Sequence, residues 1–273
     1  MTALAQSRPG DGLERLFRDA DGPLLMPYAV GGYPDPASCL QILRAYLQSG
    51  AGLVELGIPF SDPLADGPVI QAASQVALKQ GIRPGDVLDI AGRISDEGAS
   101  VVLLSYLNTI LAIGPGDFFA SCSSRGVLGV VVPDLPPEEA VELKEAAEAE
   151  NVALIFLAAP TSTDARLSRI AAVAAGFIYC VSTTGVTGAR TEIDAALPAF
   201  LARLRRHTSL PLAVGFGVST PEQAALVSGH ADGVIVGSAL VDLVARAGGL
   251  EEGLEAVHDL LAEMRNAMGR VGG

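Results

Sequence analysis

Short apolar runs alternate with longer mixed stretches along most of this chain. The runs are continuous rather than alternating in polarity, which is typical of strands that a parallel sheet buries on both faces. They predict strands at Pro23–Val30, Gly52–Ile58, Ser100–Tyr106, Val127–Val132, Val152–Leu157, Gly176–Val181, Leu210–Phe216 and Gly233–Val236. The stretches between them are rich in Ala, Leu, Glu and Arg and carry acids in their first turns, as helices do. They predict helices at Pro36–Ser49, Ile70–Gln80, Pro137–Glu150, Asp164–Ala175, Ile193–His207 and Pro221–Ser228.

About eight uninterrupted strand–helix units favour a closed (β/α)8 TIM barrel over an open doubly wound sheet. The 273 residues fit one such barrel or two ordinary domains, and no Pro/Ser-rich or polar linker divides them. We therefore predict a single domain over 1–273, in which 1–20 form an N-terminal extension and helix. Further helices are expected as additions to the barrel, at Gly12–Ala20, Pro84–Glu97 and Leu250–Met268.

The charge balance narrows the class of partner. The chain carries 18 basic and 31 acidic residues, a net charge of −13, which argues against a nucleic-acid surface and against anionic membranes. A small anionic substrate remains compatible if its site is locally positive. No apolar run approaches the roughly 18 residues of a membrane span, and Arg8, Asp11 and Glu14 precede any apolar core, unlike a signal peptide. We expect a cytoplasmic protein.

Cysteine, histidine and lysine exclude several chemistries. The cysteines are odd in number and lie among apolar neighbours, which predicts reduced core thiols at Cys39, Cys122 and Cys180. The three histidines are His207, His230 and His258. They are predicted at helix ends or on the surface, so we expect no catalytic metal site built from them. Only two lysines occur, Lys79 and Lys144, and both fall in predicted helices, which argues against a Schiff-base aldolase.

An acid interrupts the second predicted strand. Glu55 stands in the run Leu-Val-Glu-Leu-Gly-Ile, where a buried carboxylate without a partner costs several kcal/mol, so it must be hydrogen-bonded or face a cavity. Asp62 and Asp66 follow in a loop that prolines stiffen. Barrel enzymes place their sites after the strands, which makes these acids candidates. The structural alternatives are a backbone-capping Glu55, a turn residue at Asp62 and a helix cap at Asp66.

Three late turns contain glycine, at 184–188, 214–218 and 236–238. Each alone could be an ordinary turn, but the loops after the last strands of a barrel are a recurring phosphate site, built from backbone N–H groups. Such a pocket holds an anion without a lysine. Tyr106 and Tyr179 lie in the third and sixth strands, where each either fills the core or offers its hydroxyl to a substrate.

One string is specific to a known family: Glu-Leu-Gly-Ile-Pro-Phe-Ser-Asp-Pro-Leu-Ala-Asp-Gly-Pro, residues 55–68. Supporting segments are Val132-Pro-Asp-Leu-Pro-Pro137, Ala159-Pro-Thr161, Gly176-Phe-Ile-Tyr179, Gly185-Val-Thr-Gly188, Gly215-Phe-Gly217 and Gly237-Ser238. From about Pro27 to the last helix the chain resembles the α subunit of tryptophan synthase. The resemblance implies a (β/α)8 lyase of tryptophan biosynthesis that cleaves indole-3-glycerol phosphate to indole and glyceraldehyde 3-phosphate.

The resemblance also implies roles for individual residues. Glu55 is expected to be the acid–base residue, and Asp66 the carboxylate that holds the indole N–H. Thr187, in a lid over 183–190, is expected to meet Asp66 when the lid closes. The remaining substrate contacts it implies are Tyr28, Tyr106 and Tyr179, with a phosphate pocket at Gly188, Gly217, Gly237 and Ser238.

The family assembles with a partner, and the resemblance implies an α2β2 heterotetramer with the β subunit. Asp62 and Pro63 are expected to face that subunit. Pyridoxal phosphate is expected only on the β subunit, which takes the indole through a channel, so this chain is expected to need no cofactor and no metal.

The chain departs from the family pattern at a few positions. Many relatives have Arg at Thr183, Thr at Val69 and Pro at Thr109, and the turn 30–32 is atypical. The change at Thr183 bears on lid closure. Two other functions are compatible with parts of the sequence: a sugar-phosphate isomerase or epimerase, and a non-catalytic barrel that only activates a partner. The first does not explain the string 55–68, and the second does not explain two intact acids.

Overall fold

Eight parallel strands close into a barrel in the computed structural model, which describes residues 8–181, 196–215 and 217–269. The strands are β1 Leu24–Val30, β2 Val54–Gly57, β3 Val101–Leu104, β4 Val127–Val131, β5 Ala153–Ala158, β6 Ile178–Val181, β7 Leu212–Gly215 and β8 Gly233–Val236. They pair in chain order, and β8 pairs with β1 from Leu24↔Gly233 to Pro27↔Val236. The predicted TIM barrel and all eight predicted strands are confirmed.

Helices surround the barrel. Those in the described part of the chain are α1 Asp11–Asp19, α2 Pro36–Gln48, α3 Pro68–Lys79, α4 Pro84–Asp96, α5 Leu107–Ile113, α6 Pro115–Ser123, α7 Val141–Ala149, α8 Asp164–Val173, α9 Leu197–Leu204, α10 Pro221–Ser228, α11 Ser238–Arg246 and α12 Leu250–Gly269. A 3-10 turn at Pro137–Glu139 precedes α7, where the sequence predicts one continuous helix. Each of the three predicted additional helices is present, as α1, α4 and α12.

Three helices have no counterpart among those predicted from sequence: α5, α6 and α11. The first two are short and adjacent, because Gly114 adopts a φ of 97° between them and Pro115 begins the next helix. The third begins directly after Gly237, where no side chain caps it. A glycine turn with no capping side chain has the sequence pattern of a loop, so the sequence does not predict that a helix begins there.

Along β1, successive side chains point alternately into the barrel interior and toward the surrounding helices. On β1, Leu24, Met26 and Tyr28 point inward, whereas Leu25 and Ala29 pack against the surrounding helices. The N-terminal end of the barrel is closed by α1. Its Leu13 is fully buried in the interior cluster, and the ring of Phe17 lies 5.6 Å from that of Phe177. The opposite end of the barrel therefore remains open for a site.

The cysteines and the lysines lie where the sequence predicts. The cysteines are free and buried, and burial raises the pKa of Cys39 to about 11 and of Cys122 to about 12. Both lysines are on helices, Lys79 on α3 and Lys144 on α7. Over the described ranges, no cluster of histidine, cysteine and carboxylate side chains could hold a metal ion. Nor does any helix there have the length and apolar character needed to cross a membrane.

Candidate active site

Glu55 lies in the middle of β2 with its side chain in the barrel. The register between the first two strands pairs it with Tyr28 on β1, and only 1% of the residue is exposed. Its outward-facing neighbours Val54 and Leu56 belong to the outer core. Neither carboxyl oxygen has a hydrogen-bond partner among the described residues. The structural alternative is therefore wrong for this residue: Glu55 caps no described backbone group and faces a cavity.

Asp66 reaches the same cavity from the loop between β2 and α3. Its backbone N–H donates to the Pro63 carbonyl at 3.3 Å, and Gln71 Nε2 donates to the Asp66 carbonyl at 2.8 Å. The helix that follows has Gly67 as its N-cap and no side-chain cap, so the carboxylate of Asp66 is not a helix cap. It lies instead beside the hydroxyl of Tyr106, which lowers its pKa. These contacts hold a mostly buried carboxylate at the cavity wall.

Burial gives the two acids different protonation states. Desolvation raises the pKa of Glu55 to about 8, and the nearby charge of Asp66 adds to this shift. Desolvation also raises the pKa of Asp66, but only to about 6, because the hydrogen bond from Tyr106 stabilises its charged form. Near neutral pH one group therefore carries a proton that it can donate, while the other carries a negative charge.

Tyrosines border the two acids. Burial, together with the charges of Asp66 and Glu55, raises the pKa of both Tyr28 and Tyr179, so their hydroxyls stay protonated. The hydroxyl of Tyr28 lies over Gly57, where a Cβ would come within 2.1 Å of it. A glycine at that position on β2 makes room for the hydroxyl beside the acids.

The cavity opens at the carboxyl ends of the strands. Its residues are Tyr28, Glu55, Asp66, Ile70, Leu104, Tyr179, Gly217, Val218, Ile235, Gly237 and Ser238. The four aliphatic side chains form a surface suited to a flat apolar group. Sequence reasoning missed these four, because an apolar residue that lines a cavity has the same pattern as one that fills the core.

The far side of the cavity is the start of α11. Gly237 precedes this helix and Ser238 begins it, with no capping side chain on the first N–H groups. Gly217 adopts a φ of 95° beside them, in the left-handed region that favours glycine. Free N–H groups at the positive end of a helix dipole form an anion site. This end of the cavity can hold a phosphate without a lysine.

The structure brings together most of the residues predicted from sequence. Tyr28, Tyr179, Gly217, Gly237 and Ser238 line the cavity with the two acids. Tyr106 lies behind Asp66 and does not line the cavity. Asp62 and Pro63 occupy the outer part of the loop, where Asp62 is exposed and accepts a hydrogen bond from Ser61 Oγ. Thr187 and Gly188, with the rest of the predicted lid, lie outside the described residues.

Comparison with known proteins gives one consistent result. Residues 16–269 match the model of the family described as tryptophan synthase alpha chain. The tryptophan synthase alpha chain of Roseiflexus castenholzii is 47% identical over 240 residues, which cover 87% of this chain and 92% of the relative. That of Gloeobacter violaceus is also 47% identical, over 244 residues.

Solved structures agree with the sequence relatives. Tryptophan synthase from Mycobacterium tuberculosis matches with a TM-score of 0.87 and 37% identity, over 94% of this chain and 97% of that one. The tryptophan synthase subunit alpha of Legionella pneumophila matches with a TM-score of 0.87 and 35% identity, over 97% and 99% of the two chains.

Proposed function

Since this chain belongs to the tryptophan synthase alpha chain family, we propose that Glu55 and Asp66 are the two groups that carry out its reaction. The enzyme is a carbon–carbon lyase of tryptophan biosynthesis, which cleaves indole-3-glycerol phosphate to indole and glyceraldehyde 3-phosphate. This activity excludes the alternatives of a sugar-phosphate isomerase and of a non-catalytic barrel. The observation that carries the assignment is the pair of buried acids with separated pKa values in one cavity.

Glu55 is the proton donor and acceptor. Cleavage requires a proton on C3 of the indole, where the C3–H bond forms before the bond to the glycerol carbon breaks. The electrons of the broken bond restore the aromatic ring, and the hydroxyl on the glycerol carbon loses its proton as the aldehyde forms. A pKa near 8 keeps Glu55 protonated for the first step, and the resulting carboxylate can accept the hydroxyl proton in the second.

Asp66 stabilises the charge that this protonation creates. Once C3 is protonated, positive charge develops on the indole nitrogen, and a carboxylate that accepts the N–H hydrogen bond lowers the energy of that state. The loop contacts of Asp66 hold it in place before the substrate binds, and its pKa of about 6 leaves it ionised at neutral pH. Its partial burial strengthens the interaction, because the effective dielectric constant is low there.

The remaining cavity residues bind the rest of the substrate. The phosphate contacts the N–H groups around Gly217, Gly237 and Ser238, and the glycerol chain runs past the hydroxyls of Tyr28 and Tyr179. The roles of Thr187, as the lid residue that meets Asp66, and of Gly188, as part of the phosphate pocket, rest on the family resemblance alone.

The proposal extends to the partner and the cofactor, and family membership supports it. The partner is a tryptophan synthase β subunit in an α2β2 assembly, which receives the indole and carries the pyridoxal phosphate. This chain uses no cofactor of its own in the cleavage, since the proton transfers need only carboxyl groups. Asp62 and Pro63 lie on the outer loop with Leu64, whose side chain is 86% exposed, and this loop faces the partner.

The test is an assay of indole release from indole-3-glycerol phosphate, with and without added β subunit. We expect Glu55→Gln to lower kcat by roughly 100- to 10,000-fold, because an amide cannot transfer the proton. Asp66→Asn should lower kcat/KM strongly, because it removes the negative charge opposite the indole nitrogen. Two surface variants are matched controls, Glu148→Gln on α7 and Asp89→Asn on α4, and both should keep full activity. Full activity of Glu55→Gln would contradict the assignment.

A further inference from the structure

Tyr106 stands at the junction of three segments. It follows β3, is the N-cap of α5, and lies beneath the loop that joins β2 to α3. Only 2% of the residue is exposed, and the cavity lining does not include it. The ring of Phe60, from the loop, stacks on its ring with centroids 5.0 Å apart and an interplanar angle of 22°. The ring of Tyr106 therefore packs against and supports the loop that carries Asp66.

The hydroxyl of Tyr106 has a defined direction. The backbone N–H of Ala65 donates to Tyr106 Oη at 3.0 Å, so the oxygen acts as an acceptor on that side. The same hydroxyl lies beside the carboxylate of Asp66 and lowers the pKa of that group, as a donor to its ionised form does. A tyrosine hydroxyl has a single proton, so that proton points to Asp66. The hydrogen bond to Ala65 and the contact with Asp66 hold two successive residues of the loop against Tyr106.

We propose that Tyr106 is a positioning residue for the cleavage reaction, which orients the Asp66 carboxylate toward the indole nitrogen without touching the substrate. This inference rests on the proposed role of Asp66. It assigns Tyr106 a role other than the substrate contact that the family resemblance implies. The hydroxyl fixes the direction of the carboxylate, and the stacked ring fixes the loop, so Asp66 needs no rearrangement when substrate arrives.

A pH profile distinguishes this role from a merely structural one. The hydrogen bond to the charged form of Asp66 opposes the effect of burial, so loss of the hydroxyl should raise the pKa of Asp66. The other titratable groups around Asp66 and Tyr106 stay in place in such a variant: Glu55 on β2, Tyr28 on β1, Tyr179 on β6 and Asp134 after β4. A shift would therefore report the lost hydrogen bond.

The test compares kcat/KM for indole-3-glycerol phosphate between pH 5 and 9 in the wild-type chain with β subunit and in Tyr106→Phe. The wild-type acid limb is expected near the Asp66 pKa of about 6. The variant keeps the ring that stacks on Phe60, and its acid limb should move up by about one pH unit. We expect kcat/KM below pH 6 to fall roughly 10-fold, the usual scale for a hydrogen bond to a charged group.

Tyr46→Phe is the matched control. The Tyr46 hydroxyl is equally buried and donates to the Tyr28 carbonyl at 3.0 Å on the outer side of β1. This variant should lower the melting temperature and leave the acid limb unchanged. An unchanged acid limb in Tyr106→Phe, with or without a loss of rate, would overturn the positioning role. Full activity in Asp66→Asn would instead overturn the proposed function, so the two failures are distinct.

Discussion

At the scale of single residues, Glu55 shows a conflict between function and stability. Its strand buries it completely, and its carboxyl oxygens have no partner in the described part of the chain. A neutral carboxylic acid tolerates this position far better than a charged one. In the unfolded chain the same group ionises at its ordinary pKa of 4.5, whereas in the folded chain burial raises the pKa to about 8. Between these two pKa values, the group to which we assign the proton transfer destabilises the fold.

The sign of this effect gives a prediction for Glu55→Gln. From pH 4.5 to about 8, the folded state holds a proton that the unfolded state has released, so stability falls as pH rises. Glutamine has no proton to lose, and the variant should gain stability over the wild type at pH 8, on the order of 1–3 kcal/mol. The gain should disappear near pH 4. Thermal melting between pH 4 and 8 measures the difference.

The control for this prediction is Glu148→Gln, where the carboxylate is half exposed and paired with Lys144. Its melting temperature should follow that of the wild type at each pH, since exposed ion pairs contribute little. If Glu55→Gln were less stable than the wild type at pH 8, the carboxylate of Glu55 would have to be stabilised in the fold. The assignment of a protonated Glu55 would then be wrong.

The role of a residue was predictable where its type conflicts with its neighbours in the sequence, as a charged residue does within an apolar strand. A glutamate inside an apolar strand is visible without a structure, and of the two arrangements predicted for Glu55, a hydrogen bond or a cavity, the structure shows the cavity. The function of Tyr106 was not predictable in the same way. Its hydroxyl contacts Ala65, 41 residues earlier, and only the barrel brings the two segments together. An aromatic residue at a strand end has the same pattern whether it fills the core, binds substrate or supports a loop.

At the scale of an element, α11 combines two demands. Its first residues start a helix without a capping side chain, and in the proposed function its N–H groups stay free for the phosphate. A capped start would satisfy the helix but occupy the N–H groups that the phosphate needs. This explains why the sequence predicted the glycine turn as a phosphate site and failed to predict the helix. The uncapped helix start itself lines the cavity.

The substitution Ser238→Asp separates these two demands. An aspartate at the first turn interacts favourably with the helix dipole, by about 0.3–1 kcal/mol, so the melting temperature should hold or rise. The same charge repels the phosphate, and we expect KM for indole-3-glycerol phosphate to rise at least roughly 10-fold. Steady-state kinetics and thermal melting measure the two effects on one preparation.

Ser238→Asn is the control, because it has the size of aspartate without the charge. Its KM should rise much less than that of Ser238→Asp, and added inorganic phosphate should still inhibit it competitively. Equal KM values for Ser238→Asp and the wild type would place the phosphate elsewhere in the cavity.

At the scale of the whole molecule, the two ends of the barrel differ: α1 closes the N-terminal end, and the cavity opens at the other. Strand order and closure were predictable, because continuous apolar runs separated by helices leave few alternatives for a chain of this length. The sequence predicted α1 only as an additional helix, so it did not predict that this helix closes the N-terminal end of the barrel. Two glycines provide its space: a Cβ on Gly129 would lie 3.0 Å from Leu13, and one on Gly233 would lie 3.0 Å from Phe17. Both glycines lie on strands, and the apolar pattern of those strands does not predict that α1 packs against them.

This division predicts that Leu13→Ala changes stability without changing catalysis. Leu13 is fully buried at the closed end, and its truncation leaves a cavity that should cost about 2–5 kcal/mol, or a drop in melting temperature of roughly 5–15 °C. The cavity that contains the acids opens at the other end of the strands, so kcat and KM measured well below the transition should match the wild type. Leu226→Ala on α10, where the leucine is 51% exposed, is the control and should stay within about 0.5 kcal/mol. A large change in kcat/KM for Leu13→Ala, with little loss of stability, would show that the two ends are coupled.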